Sequence, residues 1–118
     1  MTAWTFDWLR AFVVTVAAEA AIAAPLLRGA EPRLARRLAA VALVNLATHP
    51  LVWFLFPGLG LGYVPRVAAS ELFALAVESA GYRVIWPALT PVRATGIAVL
   101  ANGASWALGL VLRAARLI

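Results

Sequence analysis

The sequence predicts an all-α integral membrane protein, a four-helix bundle whose chain runs up-down-up-down through the bilayer. The first observation is composition, because 64% of the 118 residues are hydrophobic and only 13% are charged, against about 45–50% and about 25% in soluble domains. The second is length, because four apolar stretches each reach the roughly 20 residues that cross a bilayer core. These predicted spans are residues 9–27, 38–56, 67–86 and 94–112.

The first span could be mistaken for a secretory signal peptide, but its residues favour a retained helix. It opens on Trp4 and Asp7 rather than on a basic segment, and Glu19 interrupts its apolar centre. A signal peptide has a basic start and an uninterrupted apolar run. We therefore expect this segment to be the first helix of the bundle.

The three connections between the spans are short, which favours antiparallel packing of consecutive helices. Residues 29–37 carry Arg, Glu and Pro, residues 57–65 form a Gly/Pro-rich turn, and residues 87–93 contain two prolines. No stretch is left for an extramembrane domain. We therefore expect one transmembrane domain over residues 1–118.

All ten basic residues are arginines, and most lie where a predicted span begins or ends. Guanidinium groups at such positions reach lipid headgroups, so the net charge of +5 indicates a membrane boundary rather than a nucleic-acid surface. The links after spans one and three hold six of them, Arg28, Arg33, Arg36, Arg37, Arg83 and Arg93. The other four are Arg10, Arg66, Arg113 and Arg116. This bias predicts that both termini lie outside the cytoplasm, and the membrane is expected to be a bacterial inner membrane.

The polar residues inside the spans repeat. Asn45 lies 26 residues after Glu19, and Asn102 lies 24 residues after Glu78. A hydroxyl residue follows each asparagine by three positions, and these residues are Thr48 and Ser105. The pattern predicts two helical-hairpin repeats, residues 9–56 and 67–112, which are parallel because spans one and three cross the bilayer in the same direction.

All four spans bring polar side chains to the middle of the bilayer, and helical spacing places Asn45, Thr48 and His49 on one face of the second span. Glu71, Glu78 and Tyr82 form a further stripe in the third span, where Tyr82 is interpreted as an interface tyrosine. The predicted proton- or ion-binding site consists of Glu19, Glu78, Asn45, Asn102, His49, Glu71, Thr48 and Ser105.

Carboxylates at this depth must be neutralised, because one charge at the bilayer centre costs about 2.5–3.5 kcal/mol on insertion scales. A shared proton, His49 as a cation or a bound cation would each do so. The site is therefore predicted to bind a proton or small cation, and conduction of that ion through the protein is left open. Glu19 and Glu78 hold it, while His49 and Glu71 relay towards the outer side.

A structural interpretation remains open beside the functional one. Protonated glutamates that donate to the asparagines would clamp the helices together, and His49 would be a neutral imidazole bonded to Glu71 or Glu78. The protein would then be a membrane subunit or scaffold, either as a homo-oligomer or within a larger complex. Gly81, Gly103 and Gly109 are expected to allow close helix approach.

A metal site is a further alternative, with Glu19, Glu78 and His49 as candidate ligands. Hard carboxylate, amide and hydroxyl oxygens suit Mg²⁺, Mn²⁺ or an alkali ion better than zinc. No cofactor beyond such a cation is expected. With no cysteine and a single histidine, few routes to a nucleophile or an activated water remain, so we do not expect an enzyme.

Four motifs resemble a group of small, uncharacterised bacterial four-span membrane proteins. They are Glu19 in the first helix, Asn45-Leu46-Ala47-Thr48-His49-Pro50 closing the second, the paired Glu71 and Glu78 in the third, and Asn102 with Ser105 in the fourth. The resemblance covers nearly the whole chain and implies architecture only. The position of His49 is occupied by Asn at least as often in that group.

Overall fold

Four long helices account for most of the computed structural model, which describes residues 2–117. They are α1 (Ala3–Leu26), α2 (Leu34–Pro50), α3 (Tyr63–Ile85) and α4 (Pro91–Ala114). No strand occurs among the described residues, so the prediction of an all-α fold with four helices is confirmed. Each helix begins a few residues before the apolar stretch that predicted it, because the flanking residues are also helical.

Threonine caps begin two of the helices. Thr2 Oγ1 accepts a hydrogen bond from the Thr5 N–H at 3.1 Å, and Thr90 Oγ1 accepts one from the Arg93 N–H at 3.2 Å. Pro91 follows Thr90 as the first residue of α4, a position where its missing N–H costs no helical hydrogen bond. These caps satisfy backbone donors that a helix N-terminus otherwise leaves unpaired.

The second helix continues irregularly beyond Pro50, through a π-helical turn at Leu51–Leu55 and a 3-10 turn at Phe56–Leu59. Pro50 and Pro57 each lack an N–H, so the regular pattern of helical hydrogen bonds is broken where they occur. Gly60 then ends the segment with φ of 73°, a left-handed conformation that glycine adopts readily.

Three stretches are long and apolar enough to cross a membrane: Ala3–Leu26, Leu34–Leu59 and Pro91–Ala114. Three of the four predicted spans therefore coincide with helices that are compatible with membrane insertion. The remaining helix, α3, has 23 residues, which at 1.5 Å per residue is also long enough. Four charged residues interrupt it, Arg66, Glu71, Glu78 and Arg83.

The helices pack in a ring in which α1 contacts α2 and α4, and α3 contacts the same two helices. The buried core takes side chains from both hairpins, among them Ala23, Leu27, Val41, Val44, Tyr82, Ile97 and Ala101. Large aliphatic side chains such as Leu43, Leu72 and Leu100 stay more than half exposed. Outward-facing leucines of this kind suit a surface in contact with lipid.

One arginine departs from the prediction that the arginines reach lipid headgroups. Arg37 is buried, with 6% of its surface exposed, and its Nη1 donates to the Ala24 carbonyl at 2.6 Å. Its Nη2 lies 3.4 Å from the Pro32 carbonyl. Carbonyls in the last turn of a helix lack helical partners and carry partial negative charge, so Arg37 caps the C-terminus of α1.

The prediction that three glycines allow close helix approach is confirmed for one of them. A Cβ built on Gly81 would lie 2.8 Å from Val44 Cγ1, so this glycine does allow α3 to approach α2 closely. Nothing lies within 4 Å of a Cβ built on Gly103 or Gly109. For those two positions the prediction of close helix packing is wrong, because their α-carbons face open space.

Gly81→Ala is expected to destabilise the protein by about 1–3 kcal/mol, the usual effect of overpacking. The contacted side chain, Val44, is buried and β-branched, so it has few alternative rotamers. Gly103→Ala is the matched control and should be neutral or stabilising by about 0.5–1 kcal/mol, because alanine favours a helix more than glycine does. Unfolding of both variants in detergent measures the difference, and an unfolding midpoint for Gly81→Ala at or above that of the wild type contradicts it.

Candidate functional site

Two glutamates from α1 and α3 meet in the interior. Glu19 and Glu78 are each 1% exposed, and one turn of α4 contacts both of them, since Asn102 donates to Glu78 and Ser105 donates to Glu19. Two ionised carboxylates buried as neighbours repel each other. A proton on either of them removes that repulsion.

The two asparagines hold the glutamates in the same way. Asn45 Nδ2 donates to Glu19 Oε1 at 3.3 Å and to the carbonyl of Val41, one turn earlier, at 2.9 Å. Asn102 Nδ2 donates to Glu78 Oε2 and, at 2.9 Å, to the carbonyl of Ala98, again one turn earlier. In α2 and in α4, therefore, an asparagine amide is fixed by a hydrogen bond to its own helix and donates a second one to the glutamate of the preceding helix.

The hydroxyl residues differ between the two halves. Thr48 Oγ1 lies 3.2 Å from the Val44 carbonyl and 3.3 Å from the Asn45 carbonyl, both in its own helix. Ser105 Oγ lies 3.0 Å from the Asn102 carbonyl and also crosses to Glu19 Oε2, at 3.2 Å. Glu19 therefore has a donor for each oxygen, whereas Glu78 Oε1 has no donor among the described residues.

His49 lines the same cleft as Asn45 and Thr48, but its hydrogen-bond partner differs from the one predicted. Its Nε2 is 3.4 Å from Thr15 Oγ1, and its ring stacks on Trp53 at 6.1 Å between centroids and meets the edge of Phe12 at 5.6 Å. The prediction of a hydrogen bond to Glu71 or Glu78 is wrong for the described residues. Aromatic side chains therefore surround the imidazole, Trp8 and Phe12 from α1 and Trp53 from the turn after α2.

The third helix buries a stripe at intervals of four residues: Ser70, Ala74, Glu78 and Tyr82. The predicted stripe included Glu71, which instead lies half-buried beside Ser70. Tyr82 is fully buried and stacks on Trp86 at 6.3 Å, so its interpretation as an interface tyrosine is wrong. Intervals of four predict this stripe better than the interval of seven that led to Glu71.

A cleft of about 400 Å³ leads to Glu19 from one end of the bundle. The residues at its mouth include Trp4, Tyr63, Arg66 and Arg113, near the start of α1 and α3 and the end of α4. Its deepest residues include Glu19, Asn45, Asn102 and Ser105. His49 and Glu71 line the walls between them, while Glu78 does not line the cleft.

Sequence reasoning missed several wall residues, notably Thr15, Ser70 and Trp106. For two of them a signal existed. Thr15 precedes Glu19 by four positions, and Ser70 precedes Glu78 by eight, so both share a helical face with a glutamate. Trp106 follows Asn102 by four positions, but an aromatic residue in a membrane span faces lipid as readily as protein, so this spacing does not decide which way it faces.

The proposed metal ligands Glu19, Glu78 and His49 are not assembled into one site. Within residues 2–117 no group of three His, Cys, Asp or Glu side chains is placed to hold a metal ion. The reason is the position of His49, whose Nε2 is directed at Thr15. Any cation at the carboxyl pair would therefore be held by oxygens.

No protein-family model, curated protein or solved structure matches this chain. Function is therefore inferred from the geometry of the site alone.

Proposed function

We propose that this protein spans a bacterial inner membrane with four helices running up-down-up-down and binds a proton or small cation at the Glu19–Glu78 pair. The observation that carries the proposal is the position of Glu19. Its carboxyl is buried, shares one turn of α4 with a second buried carboxyl, that of Glu78, and is at the deep end of a cleft that opens at one end of the bundle. Intramembrane carboxyls that solvent can reach are characteristic of proton and ion sites.

Two parallel hairpin repeats, residues 9–56 and 67–112, account for the arrangement of the pair. In each half a glutamate receives the amide of the asparagine on the next helix, and that amide also donates to its own backbone one turn earlier. Contacts at the helix ends agree with alternating directions, since Arg93 Nη2 lies 3.5 Å from the Leu26 carbonyl and Arg10 Nη2 lies 3.4 Å from the Leu117 carbonyl.

The charge of the pair favours a monovalent occupant. With one proton between the two carboxyls a single negative charge remains, and a second proton or one small cation neutralises it. Neutrality matters because an uncompensated charge at the bilayer centre is costly. With both termini outside the cytoplasm, as the arginine bias suggests, the cleft opens away from the cytoplasm and the occupant exchanges with that side.

Gradient dissipation in proteoliposomes tests this function. We expect purified wild-type protein to collapse an imposed proton or cation gradient, and Glu19→Gln and Glu78→Gln each to abolish the effect. Glutamine retains the size of the side chain but cannot ionise. The control is Asp7→Asn, which removes an exposed carboxyl and should leave the flux unchanged. Unchanged flux in both glutamine variants would remove the proposal.

A structural role is the second candidate, and one observation favours it. Both oxygens of Glu19 already have donors within the protein, Asn45 and Ser105, as in a clamp that fixes helix register. In that case wild-type protein dissipates no gradient, Glu19→Gln only lowers the free energy of unfolding, and mild detergent extracts a homo-oligomer or a larger membrane complex.

A further inference from the structure

The walls of the cleft are largely aromatic and apolar, which a site for a bare proton or a hydrated metal ion does not require. Three tryptophans line it, Trp4 from α1, Trp53 from the turn after α2 and Trp106 from α4. Apolar side chains such as Val14, Val52 and Leu110 fill the spaces between them. A volume of about 400 Å³ lies within the range of small-molecule sites, roughly 300–1,000 Å³, so the cleft has room for an organic body.

The charges in the cleft are ordered along its length. Glu71 lies on the wall and Glu19 at the deep end, whereas Arg66 and Arg113 lie at the mouth. The Arg66 guanidinium is 5.9 Å from the centre of the Tyr63 ring. An elongated ligand is therefore oriented with its positive end inward and with a neutral or anionic end at the mouth.

Two aromatic rings on one wall of the cleft are stacked. Trp53 and His49 both line the cleft, and their ring centroids lie 6.1 Å apart with nearly parallel planes. This stacking holds the Trp53 ring in a fixed orientation. Tryptophan is the side chain whose π face attracts cations most strongly.

We propose that the cleft binds an organic ammonium ion, with its positive head between Glu71 and Glu19 and its apolar body against Trp53 and Trp106. The inference rests on the proposed function, because the head supplies the monovalent charge that neutralises the Glu19–Glu78 pair. A proton and the ammonium ion are then alternative occupants of the same site. No covalent step is involved.

The test compares two probes of nearly identical shape, benzyltrimethylammonium and its uncharged carbon analogue neopentylbenzene, with protein in lipid nanodiscs. Calorimetry and tryptophan fluorescence report binding. We expect the cation to bind and the neutral analogue to bind at least about tenfold more weakly, since only the cation gains from the carboxyls and the π faces. Equal binding of both probes identifies an apolar groove, occupied by lipid chains, and overturns the proposal.

Matched tryptophan variants locate the site. Trp53→Leu keeps an apolar wall but removes the π face, so we expect it to weaken cation binding about fivefold and to leave the neutral probe unaffected. Trp86→Leu is the control, because Trp86 lies at the opposite end of the bundle beside Leu89 and Arg93. Loss of cation binding in Trp86→Leu alone would place the ligand elsewhere and contradict the inference.

Competition separates this inference from the proposed function. Benzyltrimethylammonium should inhibit the proton or cation flux of the wild type, and Glu19→Gln should bind the probe at least about tenfold more weakly than the wild type, as expected when a buried charge partner is lost. If flux depends on Glu19 but the probe neither binds nor inhibits, the organic ligand is wrong and the proton site stands. If the probe binds while no flux exists, ion exchange is wrong and the cleft is a binding site only.

Discussion

Asn102→Leu is expected to destabilise this protein more than Asn45→Leu, although both remove a buried amide from the same layer. Asn102 supplies the donor to Glu78 Oε2, and Glu78 Oε1 already has none among the described residues. The variant therefore leaves a buried carboxyl without any amide or hydroxyl donor, which costs about 1–3 kcal/mol. Leucine is close to asparagine in size, so packing changes little.

Asn45→Leu is the matched comparison. Glu19 loses one donor but keeps Ser105 at 3.2 Å, so the expected loss is near the average for an interhelical hydrogen bond in a membrane protein, about 0.6 kcal/mol. Unfolding of both variants in the same detergent measures the order. A loss for Asn45→Leu that equals or exceeds the loss for Asn102→Leu contradicts the asymmetry of the two halves.

Gly109→Phe is expected to close the cleft and to isolate Glu19 from solvent. Gly109 lines the cleft, and nothing lies within 4 Å of a Cβ built on it, so a phenyl group enters empty space rather than displacing packed atoms. The chain has no cysteine, which allows Ser105→Cys to serve as a single reporter at the deep end. A methanethiosulfonate reagent then measures access to that thiol.

The expected result is at least about tenfold slower modification of Ser105→Cys in the Gly109→Phe background, a barrier about 1.4 kcal/mol higher. Gly103→Phe provides the control, because Gly103 is exposed and its Cβ also meets nothing within 4 Å, but it does not line the cleft. If Ser105→Cys is modified equally fast with Gly109→Phe and with Gly103→Phe, the reagent reaches the thiol by a path other than the cleft. The proton or cation flux should fall in parallel with the modification rate.

Both predictions depend on an asymmetry within a repeated arrangement. The two asparagines hold the two glutamates alike, but Ser105 crosses to Glu19 while Thr48 turns back to its own helix. Glu19 therefore has two side-chain donors and lines the cleft, whereas Glu78 has one such donor and does not line it. A pair with unequal surroundings can hold one proton in a defined place, which a symmetric pair cannot.

The helices and the depth of the polar residues could be predicted from the sequence because they depend on local properties. Runs of about 20 apolar residues set the helix positions, and the spacing from Glu19 to Asn45 and from Glu78 to Asn102 indicates matching depths in neighbouring helices. The third helix is harder to assign, because Arg66, Glu71, Glu78 and Arg83 lower its apolar character although it is as long as the others.

The sequence by itself therefore determined the all-α class, the four helices, and the similar depth of two glutamates and two asparagines along those helices. Only the tertiary structure decided the partners, because a side chain's neighbours depend on how each helix is rotated about its axis. That rotation directed His49 towards Thr15 rather than a glutamate, buried Arg37 against the end of α1, and opened the cleft onto Glu19 but not onto Glu78. It is set by the packing of all four helices together, as at Gly81 and Val44, which no single segment of sequence encodes.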